Sequence, residues 1–407
     1  MMRRIFVFTL FAFGWMTAGP ALAADVLKLG AVVSLSGPRE DIGRQVLKGY
    51  ELGVKRLNAR GGVVVGNRAY KLEMITADDE SSSVAAARAA EKLVRQDRVD
   101  FLLGPVTSAL VLPVAEVAER YRVPLVQTGA ASMSVYEKGF RYNFGILTLA
   151  GQYLAGAVDL AANVAIRNRK DPADLKVAMA FLGDGFSQDI RNGVSERIQR
   201  WGMTVVVDNH LPDPVVDISD LMESIKEEQP DVLLMSARSQ GAALLARQLA
   251  STQTYVSMVA LTHCDGAGIE RMGRMADYLL CASQWDPSSS YKDPVFRSSA
   301  DFSVDFRLEY GGEEPSYQSA EGAAVILVLA DALRRAGSTD RGAVRDALAR
   351  TDLETFFGPV RFSGDGSNAA KDMVLLQIQG GRYQVVWPEQ AATSLFLHPI
   401  PKWADRL

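Results

Sequence analysis

The amino-acid sequence predicts an α/β protein with two copies of one doubly wound plan, each built on a parallel sheet. Short apolar segments with strand composition alternate with helical segments of about 10–15 residues, which is typical of βαβ units. The alternation starts again after about residue 148. With 407 residues, the chain is also long enough for two or three domains with large cores.

The first copy begins with a predicted strand at 26–35 and a helix that stops near 58–62. The apolar residues of this helix recur at helical spacing: Val46, Tyr50, Val54 and Leu57. The elements predicted next are strands at 70–76, 101–103 and 124–127 and helices at 84–96 and 109–121. Strand and helix therefore alternate throughout this half.

The second copy repeats the alternation. Its predicted strands lie at 176–182, 204–209, 231–235, 257–261 and 278–283, with helices at 188–200, 218–228 and 241–249. Helices at 295–310, 317–335 and 341–350 follow. Two late strands, at 358–362 and 373–378, are separated by a glycine-rich turn.

The N-terminal segment predicts secretion. Arg3 and Arg4 precede a short apolar run, and a small-x-small sequence ends at Ala23, so residues 1–23 have the form of a signal peptide. The apolar run is shorter than the roughly 20 residues of a membrane-spanning helix. We therefore expect cleavage near Ala23 and a mature protein in the periplasm.

Composition and motifs exclude several classes of function. The formal net charge is −4 and there is no basic stripe, so the chain is not expected to bind nucleic acid. Three histidines and no HExxH, GxSxG or GxxxxGK[ST] sequence leave no signature of an enzyme, a metal site or a cofactor site. Cys264 and Cys281 either form a disulfide or stay as buried thiols, and the sequence leaves this open.

Small and polar residues collect where the predicted strands end. Ligands of open parallel sheets bind beyond these carboxyl ends. Ser108 stands just before the helix predicted from 109, where a serine can cap the helix and the free N–H groups attract anions. The other such segments are 34–37, 128–132, 183–186, 236–238 and 263–266. Their convergence predicts a binding site at one edge of each sheet.

Several motifs occur in a fixed order along the mature chain. They are Ser-Gly-Pro at 36–38, Asn-Ala-x-Gly-Gly at 58–62, the acidic pair at 78–79, Gly-Pro at 104–105, Thr-Gly-Ala-Ala-Ser at 128–132 and Phe-Gly-Pro-Val at 357–360. In this order they resemble the Leu/Ile/Val-binding protein family, the type I periplasmic solute-binding proteins of ABC transporters. The resemblance covers nearly all of the mature chain.

The resemblance implies two lobes joined by a three-segment hinge, with a small molecule bound in the cleft between them. One lobe would hold 25–147 and 284–356, the other 148–283 and 357–390, and 391–407 would form a C-terminal tail. It also implies a monomer that delivers a solute to the membrane permease of an ABC transporter and performs no catalysis.

The resemblance also implies a set of ligand-binding residues. The ligand carboxylate would be held by Ser108, Ala130 and Ser132 of the first lobe. Asp265 would accept the α-ammonium group of an amino acid. Where relatives carry tyrosines, this chain has Ile42, Phe186 and Arg238, and Tyr317 is a further candidate for the cleft wall.

These departures leave the solute open. An arginine such as Arg238 suits a carboxylate and stacks on aromatic rings. A branched-chain or other amino acid and an aromatic or short organic acid therefore remain alternatives. A ligand-sensing module for a membrane receptor would have the same sequence features. A secreted enzyme on this fold would need a general base, for which Asp184 and Asp265 are the candidates.

Overall fold

The computed structural model of the protein describes residues 25–264, 269 and 271–406. Two mainly parallel sheets form its framework, one with six strands and one with seven. The expected signal peptide and Asp265 both lie outside the described residues. Among those residues, every helix is too short or too polar to cross a membrane.

The six-stranded sheet is built from the first part of the chain. Its strands are β1 (Asp25–Val33), β2 (Val63–Val65), β3 (Arg68–Asp78), β4 (Phe101–Leu103), β5 (Leu125–Gln127) and β6 (Asn143–Gly145). The helices between them are α1 (Glu40–Ala59), α2 (Ser83–Arg95), α3 (Ser108–Tyr121) and the short α4 (Met133–Tyr136). The strand order is β2-β3-β1-β4-β5-β6, and all pairs are parallel except β2 with β3. Strands β4 to β6 are buried along their whole length, as expected of a sheet covered on both faces.

The seven-stranded sheet comes from the middle of the chain and from a late hairpin. Its parallel strands are β7 (Lys176–Leu182), β8 (Thr204–Leu211), β9 (Val232–Ser236), β10 (Met258–Leu261) and β11 (Leu280–Ser283). Helices α5 (Ala155–Arg167), α6 (Gly185–Trp201), α7 (Ser219–Glu228) and α8 (Ser239–Ser251) accompany them. A disulfide joins Cys264 to Cys281 beside β10 and β11.

Between these parts, the chain returns to the first sheet. Two small hairpins pair β12 (Lys292–Asp293) with β13 (Arg297–Ser298) and β14 (Asp352–Thr355) with β15 (Gly358–Arg361). The helices are α9 (Ser299–Glu309), α10 (Tyr317–Ala336) and α11 (Arg341–Leu348). Helix α10 packs directly on α1, where a Cβ added to Gly49 would lie 2.0 Å from the Ser319 carbonyl oxygen. A side chain at this position would force the two helices apart.

Strands β16 (Val374–Gln379) and β17 (Arg382–Trp387) finish the second sheet, to which β16 is added antiparallel beside β11. The strand order of this sheet is β17-β16-β11-β10-β9-β7-β8. The chain thus passes between the sheets three times: after β6, after β11 and before β16. This confirms the α/β fold of two lobes with a three-segment hinge. The residue boundaries given above for the lobes stay a prediction.

Some predicted elements need correction. The late strand predicted at 358–362 forms a separate hairpin with β14, and β16 is antiparallel to β11 rather than part of a purely parallel sheet. Helix α5 was not predicted, because the residue that precedes it, Leu154, provides no side-chain cap and so no start signal. The tail packs on the second sheet, where Gln377 Nε2 on β16 donates to the Leu397 carbonyl oxygen at 3.0 Å.

Candidate functional site

The N-terminus of α3 lies at the carboxyl edge of the first sheet. The expectation that Ser108 caps this helix is wrong, because Ser108 is its first residue and Thr107 occupies the cap position. The Ser108 hydroxyl instead donates to the Gly129 carbonyl oxygen at 3.3 Å and accepts from the Ser132 N–H at 3.1 Å. The Thr107 side chain makes no capping bond either, so the positive end of the helix dipole is left without a side-chain cap.

The loop at 128–132 is held from behind by two buried side chains. Gln127 Oε1 accepts from the N–H groups of Gly129 at 2.8 Å and Ala130 at 2.6 Å. The Tyr136 hydroxyl accepts from Gln127 Nε2 at 3.0 Å and donates to the Ala130 carbonyl oxygen at 2.7 Å. Both polar backbone groups of Ala130 therefore have protein partners, which leaves Ala130 to contribute shape rather than hydrogen bonds.

Ser132 contacts the second lobe through an aspartate that the sequence reasoning missed. Asp189 Oδ2 accepts from the Ser132 hydroxyl at 2.6 Å and from the Met133 N–H at 2.9 Å. Asp189 lies three residues after Phe186 on α6, so the two share a face of the helix. That spacing was the only available signal, since the contact depends on how the two lobes meet.

The second lobe contributes an aromatic wall. The Phe186 ring lies 5.1 Å from Tyr153 and 5.7 Å from His263, edge-on in both cases. His263 Nδ1 is 3.1 Å from the Ala237 carbonyl oxygen, and burial lowers the pKa of His263 below its usual 6.5. The imidazole is therefore neutral at pH 7, and this part of the wall carries no charge.

Arg238 stands at the N-cap position of α8, with 52% of its side chain exposed. Its Nη2 donates to Asp213 Oδ2 at 2.7 Å and lies 3.8 Å from Asp184. The hydrogen bond from Arg238 lowers the pKa of Asp213, and the same bond raises the pKa of Arg238. Any carboxylate that approaches Arg238 must share it with Asp213.

Two further candidates, Asp184 and Tyr317, lie at the N-termini of helices. Asp184 caps α6 by accepting from the Ser187 N–H at 2.8 Å, which gives this carboxylate a structural role. Tyr317 is the first residue of α10 and is half-buried, and its place in the cleft wall stays a prediction. In the part of the chain that the structure describes, no three His, Cys, Asp or Glu side chains are grouped so that they could hold a metal ion.

The structure thus brings the predicted residues into two groups. Ser108, Ala130 and Ser132 form one group on the first lobe, which we call the seat and extend to the loop 128–132. On the other lobe, Phe186 and His263 form a second group together with the Tyr153 ring, and we call these three rings the wall. Arg238 acts on His263 electrostatically. Asp189 joins the two groups by reaching from α6 to Ser132.

Comparisons with known proteins agree with this architecture. Leu/Ile/Val-binding protein homolog 7 of Brucella suis biovar 1 is 25% identical over 390 residues, which cover 93% of this chain and 95% of that protein. The branched-chain amino acid transporter substrate-binding protein LivJ of Streptococcus pneumoniae, solved in complex with isoleucine, has a TM-score of 0.75 at 20% identity and covers 89% of this chain and 100% of its own.

A second solved structure is an ABC-transporter solute-binding protein of Rhodopseudomonas palustris BisB5 in complex with 3,4-dihydroxybenzoic acid. Its TM-score is 0.73 at 19% identity, over 87% of this chain and 93% of that one. The family model described as periplasmic binding protein matches residues 26–382. The chain therefore belongs to the periplasmic binding protein family, whose members bind solutes and are not enzymes.

Proposed function

We propose that this chain is the solute-binding component of an ABC importer and binds a small solute with a carboxylate group between its lobes. The observation that carries this proposal is the seat, which lies beside a helix N-terminus without a side-chain cap. There the Ser132 N–H donates to the Ser108 hydroxyl at 3.1 Å. Unpaired N–H groups and the helix dipole favour an anion at such a position. Solute capture then needs no covalent chemistry.

The second lobe completes the proposed site. Closure of two lobes around a ligand is a hinge motion of a few chain segments. It would bring Phe186 against the body of the solute and Arg238 to the rim of the cleft. A dissociation constant in the micromolar range requires only about −8 kcal/mol. Charge-assisted hydrogen bonds and one buried apolar group supply free energies of this order.

The proposed solute is a branched-chain or other amino acid. Asp265 is the residue proposed to accept its ammonium group. An aromatic or short organic acid is the second candidate, and a specific observation favours it: the wall consists of the rings of Phe186, Tyr153 and His263, with Arg238 close by. Flat apolar rings of this kind pack well against an aromatic solute.

Thermal unfolding of residues 24–407 against a panel of solutes tests the proposal. The panel holds branched-chain amino acids, other amino acids, amides, and aromatic and aliphatic carboxylates. A true ligand at about 100 times its dissociation constant adds about 2.7 kcal/mol to the free energy of unfolding. If amino acids shift the transition, Asp265→Ala abolishes the shift. If only carboxylates without an amine do so, Arg238 determines specificity. No shift across the panel would contradict the proposed function.

We also propose that the precursor is cleaved near Ala23 and that the mature monomer meets its permease in the periplasm. The charged start and the short apolar run of the first residues support this. The N-terminal sequence of the protein recovered from a periplasmic extract should begin at or near residue 24. Recovery of the uncleaved chain from the cytoplasm would contradict it.

A further inference from the structure

Gln284 joins two of the three segments that pass between the lobes. It directly follows β11 and is 2% exposed. Its Oε1 accepts from the Thr148 N–H at 3.1 Å, and its Nε2 donates to the Thr148 carbonyl oxygen at 3.1 Å. Thr148 lies in the segment after β6, so this pair of bonds fixes the first crossing segment against the second.

The third crossing segment meets the same point through Lys371. The Lys371 carbonyl oxygen accepts from the Thr148 hydroxyl at 3.0 Å, and Lys371 Nζ donates to Gln284 Oε1 at 3.1 Å and to the Gln284 carbonyl oxygen. Lys371 Nζ also lies 4.6 Å above the centre of the Phe357 ring. Thr148, Gln284 and Lys371, which we call the crossing cluster, are all buried.

Gln284 also contacts the wall of the candidate site. Its Nε2 donates a second hydrogen bond, to the Tyr153 hydroxyl at 2.9 Å. The Tyr153 ring packs edge-on against Phe186 at 5.1 Å. The amide of Gln284 therefore uses both donor hydrogens and accepts two bonds at its oxygen, which is the full capacity of a glutamine side chain.

Such a saturated, buried network has few alternative arrangements. Each of its bonds would be replaced by an unsatisfied buried group if one crossing segment turned while the others stayed in place. The crossing segments must therefore move together, and the Tyr153 ring moves with them. The position of Phe186 is then tied to the relative position of the lobes.

We propose that Gln284 is a positioning residue that couples the three crossing segments to the cleft wall at Phe186. This inference rests on the proposed function, in which the lobes close around a solute. It assigns to one buried amide the task of setting both the angle between the lobes and the placement of an aromatic side chain in the site.

The distribution of distances between the lobes tests the proposal without any solute. Nitroxide labels at Arg88→Cys on α2 and Arg200→Cys on α6, both exposed positions, report this distance by double electron–electron resonance. Gln284→Met keeps a similar volume and removes the four side-chain bonds. We expect it to broaden the distribution about twofold, because the crossing segments lose their common partner. A distribution identical to that of the unmodified chain would overturn the proposal.

Gln377→Met is the matched control. Gln377 is also a fully buried glutamine, and its amide bonds the Leu397 backbone at 3.0 and 2.9 Å, where the tail packs on β16. It should lower stability as Gln284→Met does but leave the distance distribution unchanged. If both variants broaden it equally, the effect is general destabilisation and the proposal fails.

Two milder variants keep the test decisive if Gln284→Met does not fold. Thr148→Val removes the hydroxyl bond to Lys371 and should broaden the distribution less, in the same direction. Tyr153→Phe removes the hydrogen bond from Gln284 to the wall but keeps the bonds among the three crossing segments. It should therefore leave the distance distribution narrow. An unchanged distribution in Thr148→Val, or a broadened one in Tyr153→Phe, would count against the proposal.

Solute binding gives the second readout, with L-leucine and benzoate as probes in calorimetry. Gln284→Met and Tyr153→Phe should each weaken probe binding by about tenfold, since both release the Tyr153 ring from Gln284 and so loosen the Phe186 ring that packs on it. Gln377→Met should bind the probes with an affinity close to that of the unmodified chain. Equal affinity in all variants would overturn the link to Phe186. If the unmodified chain binds neither probe, the choice of solute is wrong, while the distance measurement still judges the crossing cluster.

Discussion

The two halves of the candidate site are held in different ways. The seat on the first lobe is fixed by hydrogen bonds from buried neighbours, above all Gln127 and Tyr136, to the backbone of the loop. The wall on the second lobe is held by ring contacts of Phe186, and its rim by the half-exposed ion pair of Arg238 with Asp213.

This difference separates two tasks. A preorganised loop beside a helix N-terminus loses little conformational entropy when it binds a solute, which suits recognition of a feature shared by many solutes, the carboxylate. Ring contacts and an exposed ion pair adjust more easily to side chains of different shape. We therefore assign affinity for the carboxylate to the seat and the choice among solutes to the wall.

The largest effect is expected from Gln127→Met. The substitution leaves the buried N–H groups of Gly129 and Ala130 without their acceptor. Each such loss costs about 1–3 kcal/mol, so urea unfolding should show a loss of roughly 2–6 kcal/mol and binding of any carboxylate should disappear. A variant with unchanged stability and unchanged binding would show that the seat is not held in this way.

A smaller and opposite effect is expected from Asp189→Asn. The amide still accepts from Ser132 and Met133, but the negative charge beside the seat is gone. A solute with a carboxylate and no ammonium, such as benzoate, should bind about tenfold more tightly in calorimetry. Glu196→Gln removes one charge from an exposed position of the same helix and serves as the control. Weaker benzoate binding in Asp189→Asn alone would reverse our interpretation of Asp189.

The pH dependence of stability should distinguish the wall from the seat. Burial lowers the pKa of His263 below 6.5, so the unfolded chain binds more protons than the folded one in the window just below 6.5. Stability is therefore present above pH 6.5 and is lost as the pH falls through the lowered pKa. His263→Gln should remove that part of the acid loss, whereas His210→Gln, at an exposed position of β8, should not. If the free energy of unfolding depends on pH in the same way in both variants, burial of His263 is not the cause of the acid loss.

The smallest effect on folding is expected from Arg238→Gln. Exposed ion pairs contribute about 0–1 kcal/mol, so urea unfolding should hardly change when the pair with Asp213 is lost. Discrimination among solutes should change instead, with lower affinity for aromatic carboxylates than for amino acids. If Arg238→Gln lowers the affinity for aromatic carboxylates and for amino acids by the same factor, Arg238 does not determine specificity.

Local patterns were sufficient to predict most elements of the fold. The apolar spacing of α1 predicted which of its residues are buried, among them Val46, Tyr50 and Leu57. The meeting of Ser108 with Ser132 also followed from local order, because the carboxyl ends of neighbouring parallel strands lie at one edge of a sheet. The prediction that Ser108 caps α3 missed by one residue, which changed the role of its hydroxyl.

Contacts between distant segments could not be predicted in the same way. Asp189 reaches Ser132 because α6 packs closely on the segment after β6, where a Cβ on Gly193 would lie 2.0 Å from the Gly151 carbonyl oxygen. Gln284, Thr148 and Lys371 are separated by 136 and 87 positions in the chain and meet only in the folded protein. No spacing in the sequence signals such a meeting.

Calorimetric titration tests the central claim, that the seat holds the carboxylate of a solute between the lobes. Residues 24–407 and a Ser108→Ala, Ser132→Ala double variant are titrated with the solute that gives the largest thermal shift in the panel. We predict one solute per chain, with a dissociation constant in the micromolar range that corresponds to about −8 kcal/mol, and at least about tenfold weaker binding by the double variant. Equal affinity in the two proteins would contradict the account.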